Sequence, residues 1–285
     1  MALKSADALE KLFLLGKGGY GRQYFRVYKC KDKTTGIEYA VKELDNIQLK
    51  ERFDSEAKAM GPLLICSFQN DISMSLVMPF IPGQPLYKCI WNCTKFTESF
   101  AKLCAFQIAI AIDDVHKRGF IHRDIKSGNV LLTRDGTCHL IDFGFAKSKS
   151  TRASSLCGTA YAMAPEVFLR QSYGPEVDWW GFGILLYEMV HGCPPWPYKN
   201  EGSTRAYFDS ILEIIVVCSG LLAIDPNKRY GKNILHHPWF ENLNVKNPKV
   251  VSGTELEACF KHLDVAGIDS AESITSAENL LFAGF

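Results

Sequence analysis

The sequence predicts an α+β fold with two lobes: a small amino-terminal lobe rich in antiparallel strands and a larger, mainly helical carboxy-terminal lobe. The chain has 285 residues, which exceeds the usual size of one domain and favours two subdomains. Strand-like segments prevail at the start, and longer segments with helical spacing of apolar residues follow. A hydrophobic content of 47% and a charged content of 22% are typical of a globular protein and argue against a disordered or membrane chain.

Charge and cysteine content narrow the expected partners and compartment. Lys and Arg number 32 against 31 Asp and Glu, for a net charge of +1, so charge gives no reason to expect nucleic acid or a membrane as partner. The longest apolar run, near residues 211–217, contains Glu213 and is too short to span a bilayer. The first residues lack the apolar core of a signal peptide. The ten cysteines form no zinc pattern, which predicts reduced thiols and a cytoplasmic or nuclear location.

A glycine-rich stretch opens the first lobe. Gly16, Gly18 and Gly21 form G-x-G-x-x-G, which by itself is a weak signal that dinucleotide-binding folds share. A strand-like segment, residues 24–30, follows where such a fold would need a helix. The glycines are therefore expected at the tip of a β-hairpin, where backbone amides can approach phosphate groups.

The next elements are a strand and two helices. Residues 38–44 read as a strand with Lys42 at its centre, and a buried lysine is costly unless it is paired. Residues 76–83 read as a strand that runs into a connector. Residues 100–116 repeat apolar side chains at helical spacing, and residues 177–189 are apolar on all sides, which predicts a buried central helix.

Three polar residues flank a predicted hairpin between these two helices. Asp124 and Asn129 precede one strand-like run, residues 130–132, and Asp142 follows a second run, residues 139–141. A hairpin brings these side chains close together, and oxygen ligands of this type suit Mg²⁺. A carboxylate that is not bound to metal can accept a proton from an attacking hydroxyl.

Several motifs together resemble those of eukaryotic serine/threonine protein kinases. The stretch from His122 to Asn129 matches the catalytic loop H-R-D-x-x-x-x-N, and Asp142 begins a D-F-G motif. The chain is most similar to the AGC group and, within it, to the catalytic chains of cAMP- and cGMP-dependent protein kinases. The segments that carry this resemblance are residues 18–22, 142–147, 156–159, 177–180 and 237–240.

The resemblance implies a bilobal protein-kinase-like fold with defined boundaries. Residues 1–80 form the N-lobe with its glycine-rich loop, and residues 81–240 form the C-lobe with the catalytic loop and activation segment. Residues 241–285 form a tail that ends in the F-x-x-F of Phe282 and Phe285. No cyclic-nucleotide-binding segment precedes the glycines, so a separate regulatory chain is a further expected partner, beside the protein substrates.

The same resemblance assigns ATP and Mg²⁺ as cofactors and gives roles to single residues. Asp124 orients the substrate hydroxyl, Lys126 steadies the γ-phosphate, and Asn129 and Asp142 hold the metal. Lys42 holds the nucleotide phosphates and pairs with Glu56, or alternatively with Glu51. The remaining predicted nucleotide contacts are Gly16, Lys17, Gly18, Gly19, Tyr20 and Gly21 over the phosphates, and Val27, Ala40, Met78 and Leu131 around the adenine.

Departures from the family pattern leave two functions open. Residues 23–26 are extra, and the chain is short between residues 60 and 64 and between residues 196 and 225. An active Ser/Thr kinase is favoured because Lys42, Asp124, Asn129 and Asp142 are all present. The alternative is a pseudokinase that acts as a binding or scaffold module, and a small-molecule phosphotransferase is a distant third.

Regulation and specificity are also implied by the resemblance. Ser155 stands where the family carries its activating phosphate, which could pair with Arg123 and Lys147. Of three acidic positions that bind an arginine upstream of the target, Pro85 and Gly128 occupy two and Glu188 is the acid that remains. A weakly basophilic kinase that depends on Glu188 is therefore predicted. Asp178 is expected to bond the catalytic-loop backbone, and Arg229 to pair with Glu166.

Overall fold

The computed structural model describes residues 6–20, 23–45, 50–150, 152–195, 220–244 and 253–260. The described residues fall into two compact units, with unit 1 ending at Pro82 and unit 2 beginning at Gly83. Unit 1 is an antiparallel sheet with one helix, and unit 2 is mainly helical with short strands. The predicted α+β class is confirmed.

Unit 1 is built on a five-stranded antiparallel sheet in the order β1-β2-β3-β5-β4. The helix α1 precedes β4 in the chain and buries Phe53, Glu56, Ala59 and Met60. Cys30, Val41 and Val77 pack together in the sheet as a core cluster. The elements are β1 (Leu9–Tyr20), β2 (Gln23–Asp32), β3 (Glu38–Leu44), α1 (Lys50–Met60), β4 (Cys66–Gln69) and β5 (Met74–Pro79).

The first hairpin differs from the sequence prediction. β1 continues through the glycine-rich stretch to Tyr20, and Gly16 and Gly18 lie opposite Val27 and Phe25 of β2. These two glycines therefore sit in a paired strand and not at the hairpin tip. The physical reason is that the extra residues 23–26 supply ladder partners for residues 17–20. Gly21 lies outside the described residues, and for Gly19 and Tyr20 the structure describes strand pairing alone.

Unit 2 places short strands beside long helices. A three-stranded sheet has the order β6-β8-β9, and β7 pairs with β10. The elements are β6 (Gly83–Pro85), α2 (Leu86–Cys93), α3 (Glu98–Lys117), β7 (Phe120–Ile121), β8 (Val130–Thr133), β9 (Cys138–Leu140), β10 (Lys147–Ser148), α4 (Pro165–Phe168), α5 (Glu176–His191) and α6 (Thr254–Cys259).

The two long helices extend the segments that apolar spacing predicted. α3 begins after Thr97, whose hydroxyl accepts a hydrogen bond from the Phe100 amide and so satisfies one open donor of the first turn. α5 ends at His191, and the capping residue Gly192 adopts a φ of 84° that favours glycine. Trp180 of α5 is fully buried and belongs to one core cluster with Ile121 and Tyr173.

Two further sequence predictions concern residues that lie partly or wholly outside the described ranges. The F-x-x-F of the carboxy terminus and most of the shortened region 196–225 lie outside the described residues. Within the described ranges, no helix is long and apolar enough to cross a membrane.

Candidate active site

The Asp124 side chain is the centre of a hydrogen-bonded cluster in unit 2. Its Oδ1 accepts bonds from the Thr159 backbone amide at 2.9 Å and from the Thr159 hydroxyl at 2.7 Å. Its Oδ2 accepts a bond from Asn129 Nδ2 at 2.8 Å and lies 3.1 Å from Lys126 Nζ. The carboxylate is 4% exposed. Since both oxygens are held, the side chain has one defined orientation, as a proton acceptor requires.

The backbone around Asp124 is held by Asp178 at the start of α5. Asp178 accepts bonds from the His122 amide at 2.8 Å and the Arg123 amide at 2.7 Å, and it contacts His116 Nε2 at 2.7 Å. Burial by itself would raise the pKa of Asp178, but the bond and charge of His116 outweigh it and the pKa is lowered. The ionised carboxylate stabilises Arg123 in a left-handed conformation with a φ of 69°.

Asp142 is brought to this cluster by the β8–β9 hairpin. The Ile141 amide donates to the Asn129 carbonyl at 2.9 Å, which sets the residue before Asp142 against the residue that follows the Asp124 loop. Asp142 itself has a φ of 59°, and its Oδ1 accepts a bond from the Gly144 amide at 3.2 Å. Phe143 is buried against the His122 ring, with centroids 5.1 Å apart. Leu131 lies in β8, opposite His139.

The segment after Asp142 returns to the loop through Arg123. The guanidinium donates to the Phe145 carbonyl at 2.6 Å, to the Ser155 hydroxyl at 2.9 Å and to the Tyr173 hydroxyl at 3.2 Å. Tyr173 in turn donates to the Ser155 carbonyl at 2.7 Å. Lys147, the second predicted partner of Ser155, pairs in β10 with Ile121. Arg123 thus already bonds the side chain that the sequence singles out for phosphorylation.

A glycine is required where this segment crosses the Asp124 loop. Gly158 has a φ of 102°, and a Cβ there would lie 2.6 Å from the Arg123 carbonyl oxygen. That distance is too short for any side chain, so the close approach depends on glycine. The contact places Thr159 where its amide and hydroxyl reach Asp124.

Unit 2 contains two further buried acids, Glu166 and Glu188. Glu166 accepts two bonds from the Arg229 guanidinium at 2.6 and 3.0 Å, which is the pair that the sequence predicts. Glu188 Oε1 accepts a bond from the Ser127 hydroxyl at 2.8 Å, and its Oε2 is buried without a hydrogen-bond partner in the described structure. Burial raises the pKa of Glu188 to about 7, although the Ser127 bond opposes the shift.

In unit 1, Lys42 is paired with the helix α1. Its Nζ lies 2.6 Å from Glu56 Oε1, and the two side chains are 6% and 3% exposed. Glu51, the alternative partner, is exposed at the first turn of the same helix. A buried ion pair of this kind satisfies a charge that would otherwise be expensive to place inside a sheet.

Several predicted nucleotide contacts share one face of the unit 1 sheet. Directly opposite residues of an antiparallel pair lie on the same face, as do residues two apart in a strand. Val27 is opposite both Gly16 and Lys42, and Ala40 is opposite Met78. Gly16, Val27, Lys42, Ala40 and Met78 therefore face the same side, and Lys17 next to Gly16 is exposed.

Phe25 lies on this face too, and sequence reasoning did not identify it as a site residue. Its ring centroid is 4.3 Å from Lys42 Nζ. A Cβ built on Gly18 would lie 2.4 Å from the Phe25 ring, so the ring also covers the glycine. The sequence feature that could have pointed to Phe25 is its position in the extra segment, residues 23–26.

Comparison with known proteins identifies the family of this chain. The family model described as the protein kinase domain matches residues 9–240. The chain belongs to the protein kinase family. It is 30% identical over 270 residues to a "cAMP-dependent protein kinase, catalytic subunit-like" protein of Caenorhabditis briggsae, covering 84% of this chain and 68% of that protein.

Other relatives of this kinase come from plants and fungi. It is 32% identical to "Serine/threonine-protein kinase AtPK1/AtPK6" of Arabidopsis thaliana, covering 84% of this chain and 57% of the relative. It is also 32% identical to the "cAMP-dependent protein kinase catalytic subunit" of Schizosaccharomyces pombe, covering 81% of this chain and 50% of that protein. The kinase spans about half to two thirds of the length of such relatives. Its enzyme class is serine/threonine protein kinase, as the sequence predicted, and nothing in the comparisons favours a pseudokinase.

The oxygen donors of Asn129 and Asp142 fit a magnesium ion of the kind that accompanies nucleotide phosphates. Asn129 uses its Nδ2 in the bonds to Asp124, so its amide oxygen remains for a metal, and Asp142 adds a carboxylate. Within the described residues no group of three or more His, Cys, Asp or Glu side chains could hold a metal. Mg²⁺ is commonly bound by one or two carboxylates together with substrate phosphates and waters.

Proposed function

We propose that this kinase transfers the γ-phosphoryl group of ATP to Ser and Thr hydroxyls of protein substrates, with Asp124 as the residue that receives the substrate hydroxyl. The observation that carries the proposal is the Asp124 cluster. Its carboxylate is oriented by Thr159, Asn129 and Lys126 inside one unit. Phosphoryl transfer needs little covalent chemistry from the protein and depends on positioning and on neutralisation of charge.

The roles in unit 2 follow from the donor and acceptor chemistry of the cluster. Asp124 accepts a hydrogen bond from the attacking hydroxyl and takes its proton. Lys126 bonds Asp124 and the Thr159 hydroxyl, at 2.6 Å for the latter, and its ammonium is proposed to turn to the γ-phosphate once substrates bind. Asn129 and Asp142 are the proposed ligands of Mg²⁺, which when bound neutralises charge on the nucleotide phosphates.

The roles in unit 1 are proposed for the face that carries Lys42. Lys42, held by Glu56, is proposed to bind nucleotide phosphates, with the backbone of residues 16–20 beside them; Gly21, the last residue of the motif, lies outside the described residues. Val27, Ala40 and Met78 are the proposed adenine contacts from this sheet, and Leu131 is the one predicted in unit 2. Phe25 is the departure, because its ring contacts the ammonium that these phosphates need.

Substrate preference is proposed to be weakly basophilic. Glu188 has a buried Oε2 without a partner in the described structure, and an arginine of the substrate would satisfy that atom. The other two acidic positions of the family pattern are Pro85 and Gly128. One charge-assisted contact instead of three predicts a modest preference for an upstream arginine.

Control by modification and by a partner is also part of the proposal. Phosphate on Ser155 would meet the Arg123 guanidinium, which already donates to the Ser155 hydroxyl. A separate regulatory chain and a cytoplasmic location remain predictions from the sequence.

The experiment is a transfer assay with radiolabelled ATP and a library of basic Ser and Thr peptides. The wild-type chain should label peptides in the presence of Mg²⁺, and Asp142→Ala should not. A wild-type chain that binds ATP with Mg²⁺ but labels no peptide and no site of its own would contradict the proposal.

A further inference from the structure

Helix α6 is fastened to the region around helix α2 by polar contacts at both of its ends. At its start, Glu255 accepts bonds from the Thr97 amide and the Thr97 hydroxyl, both at 2.7 Å. At its end, the Cys259 carbonyl accepts bonds from Gln84 Nε2 at 2.6 Å and from Asn92 Nδ2 at 2.9 Å. These contacts fix which side chains of α6 face α2.

The contacts bring two cysteine thiols together. Cys93, the last residue of α2, and Cys259, the last residue of α6, have sulfur atoms 3.7 Å apart although they are 166 residues apart in the chain. Cys259 is fully buried, whereas Cys93 is half-buried. No disulfide joins cysteines within the described residues. The two sulfurs are in van der Waals contact, and a disulfide requires them to close to about 2.05 Å.

We propose that Cys93 and Cys259 form a disulfide by exchange with a low-molecular-weight disulfide such as oxidised glutathione, and that this bond fixes α6 covalently to α2. Disulfides of cytosolic proteins in mesophiles are usually transient and redox-responsive, which fits a pair that is adjacent and reduced. The proposal concerns the thiol pair alone and does not rest on the proposed kinase activity.

The exchange proceeds in two steps that balance. The Cys93 thiolate attacks one sulfur of glutathione disulfide, forms a mixed disulfide with it and breaks the S–S bond of the reagent. The glutathione thiolate that leaves takes up the proton that Cys93 released. The Cys259 thiolate then attacks the Cys93 sulfur of the mixed disulfide and releases the second glutathione thiol. Two protein thiols are oxidised, and one external disulfide is reduced to two thiols.

Exposure decides the order of these steps. Cys93 is the more accessible thiol, so it meets the external disulfide first. A hydrogen bond with the Cys89 thiol, together with burial, raises the pKa of Cys259, so its thiolate forms rarely and attacks second. Cys89 is one helical turn before Cys93 but is fully buried, which removes it from the first step.

The test uses the full chain, reduced and then treated with oxidised glutathione. Remaining thiols are alkylated, and the protein is digested without reductant and analysed by mass spectrometry. Chymotryptic cleavage after the exposed Trp91 separates Cys89 from Cys93, so the linked peptide identifies its partner. We expect a Cys93–Cys259 peptide in monomeric protein and a melting temperature higher by roughly 5 °C or more.

Matched variants make the outcome decisive. Cys93→Ser should lose both the linked peptide and the thermal shift, and Cys193→Ser, which removes an exposed thiol outside the pair, should keep both. Equal melting temperatures of the reduced proteins exclude a folding defect, and Cys93→Ala replaces Cys93→Ser if they differ. A Cys89–Cys259 link, a glutathione adduct at Cys93 that never resolves, or an unlinked monomer would each overturn the proposal.

Discussion

The Asp124 loop and the glycine-rich hairpin carry motifs of similar length, but they keep the family pattern to different degrees. The loop has the family spacing from His122 to Asn129 and a fully bonded carboxylate at its centre. The hairpin contains residues 23–26, which the sequence indicates are extra relative to the family pattern, and Gly16 and Gly18 lie in a paired strand. The first region therefore keeps the family pattern, and the second is the altered one.

The kind of bond that holds each region explains this difference. The Asp124 loop is fixed by side chains from distant elements, such as Asp178 of α5 and Thr159. An insertion there would break bonds that nothing nearby could replace. The hairpin is held by a backbone ladder, which extends when residues added to one strand supply partners for residues already present in the other. Side-chain hydrogen bonds from distant elements therefore preserve the geometry of the loop. A backbone ladder can be lengthened without loss of pairing, and the glycines then lie within the ladder.

The largest expected effect comes from removing the charge at the centre of the intact region. Asp124→Asn should lower turnover by about 10²- to 10⁴-fold, because the substrate hydroxyl loses its proton acceptor. The KM for ATP should change little, since the proposed nucleotide contacts do not include this carboxylate. Steady-state kinetics with a basic Ser peptide measure both quantities. Asp114→Asn, an exposed acid on α3, is the control, and comparable turnover in the two variants would contradict the assignment.

The next largest effect is expected on the stability of unit 2, through the buried ion pair of Glu166 and Arg229. Glu166→Gln leaves the Arg229 guanidinium buried without its counter-charge, so the free energy of unfolding should fall by about 3–5 kcal/mol. Breaking the more exposed pair of Arg152 and the partly buried Glu176 with Arg152→Gln should cost about 1 kcal/mol or less. Urea denaturation compares the two. Similar losses would show that the buried pair does not stabilise the unit as we infer.

Ser155 tests whether the segment after Asp142 is switched by charge. A phosphate that gains charge-assisted bonds from Arg123 should raise activity by about tenfold or more, so Ser155→Ala should lose that increment. After treatment with ATP, the effect of the phosphate is measured as kinase activity and as the resistance of residues 142–166 to protease. Ser154→Ala, the exposed neighbour, should behave as wild type; the hypothesis is wrong if the two variants agree.

Glu188 links the stability of unit 2 to pH. Its folded-state pKa is raised to about 7 from a usual value of 4.5, so as pH rises the unfolded chain ionises first. The contribution of Glu188 to stability is full below about pH 4.5 and is lost as pH rises through about 7, by up to about 3 kcal/mol. Unfolding of wild type and Glu188→Gln from about pH 5 to pH 8 should show the variant gaining relative stability. Glu241→Gln, an exposed acid, should show no such trend, and parallel curves for wild type and Glu188→Gln would refute the shift.

The sequence predicted the parts of the structure that rest on local pattern. Residues 38–44 form β3 within the predicted bounds, and the two long helices extend the predicted segments by a few residues at each end. The hairpin that carries Asn129 and Asp142 is present because apolar runs of strand length flank a turn. Motif spacing also anticipated the pair of Glu166 and Arg229.

The features that were missed depend on register or on distant contacts. The glycine positions in β1 follow from how residues 23–26 pair, and a repeat of period two does not specify that register. Phe25 became a neighbour of Lys42 through the same pairing. The pairing of β6 with β8 and the contact of Cys93 with Cys259 join segments far apart in the chain, which spacing within one segment does not reveal.

The comparison of the two regions is tested most directly by restoring the family length of the hairpin. Deletion of residues 23–26 removes Phe25 from Lys42, so the KM for ATP should fall several-fold, on the scale of one cation–π contact. The kcat should stay within about twofold, because the Asp124 cluster in unit 2 is untouched and a change confined to KM reflects uniform binding. Phe25→Leu, which keeps the chain length, should give part of the gain. A large change in kcat with an unaltered KM would contradict the account, since it would place the catalytic defect outside the hairpin's contact with Lys42.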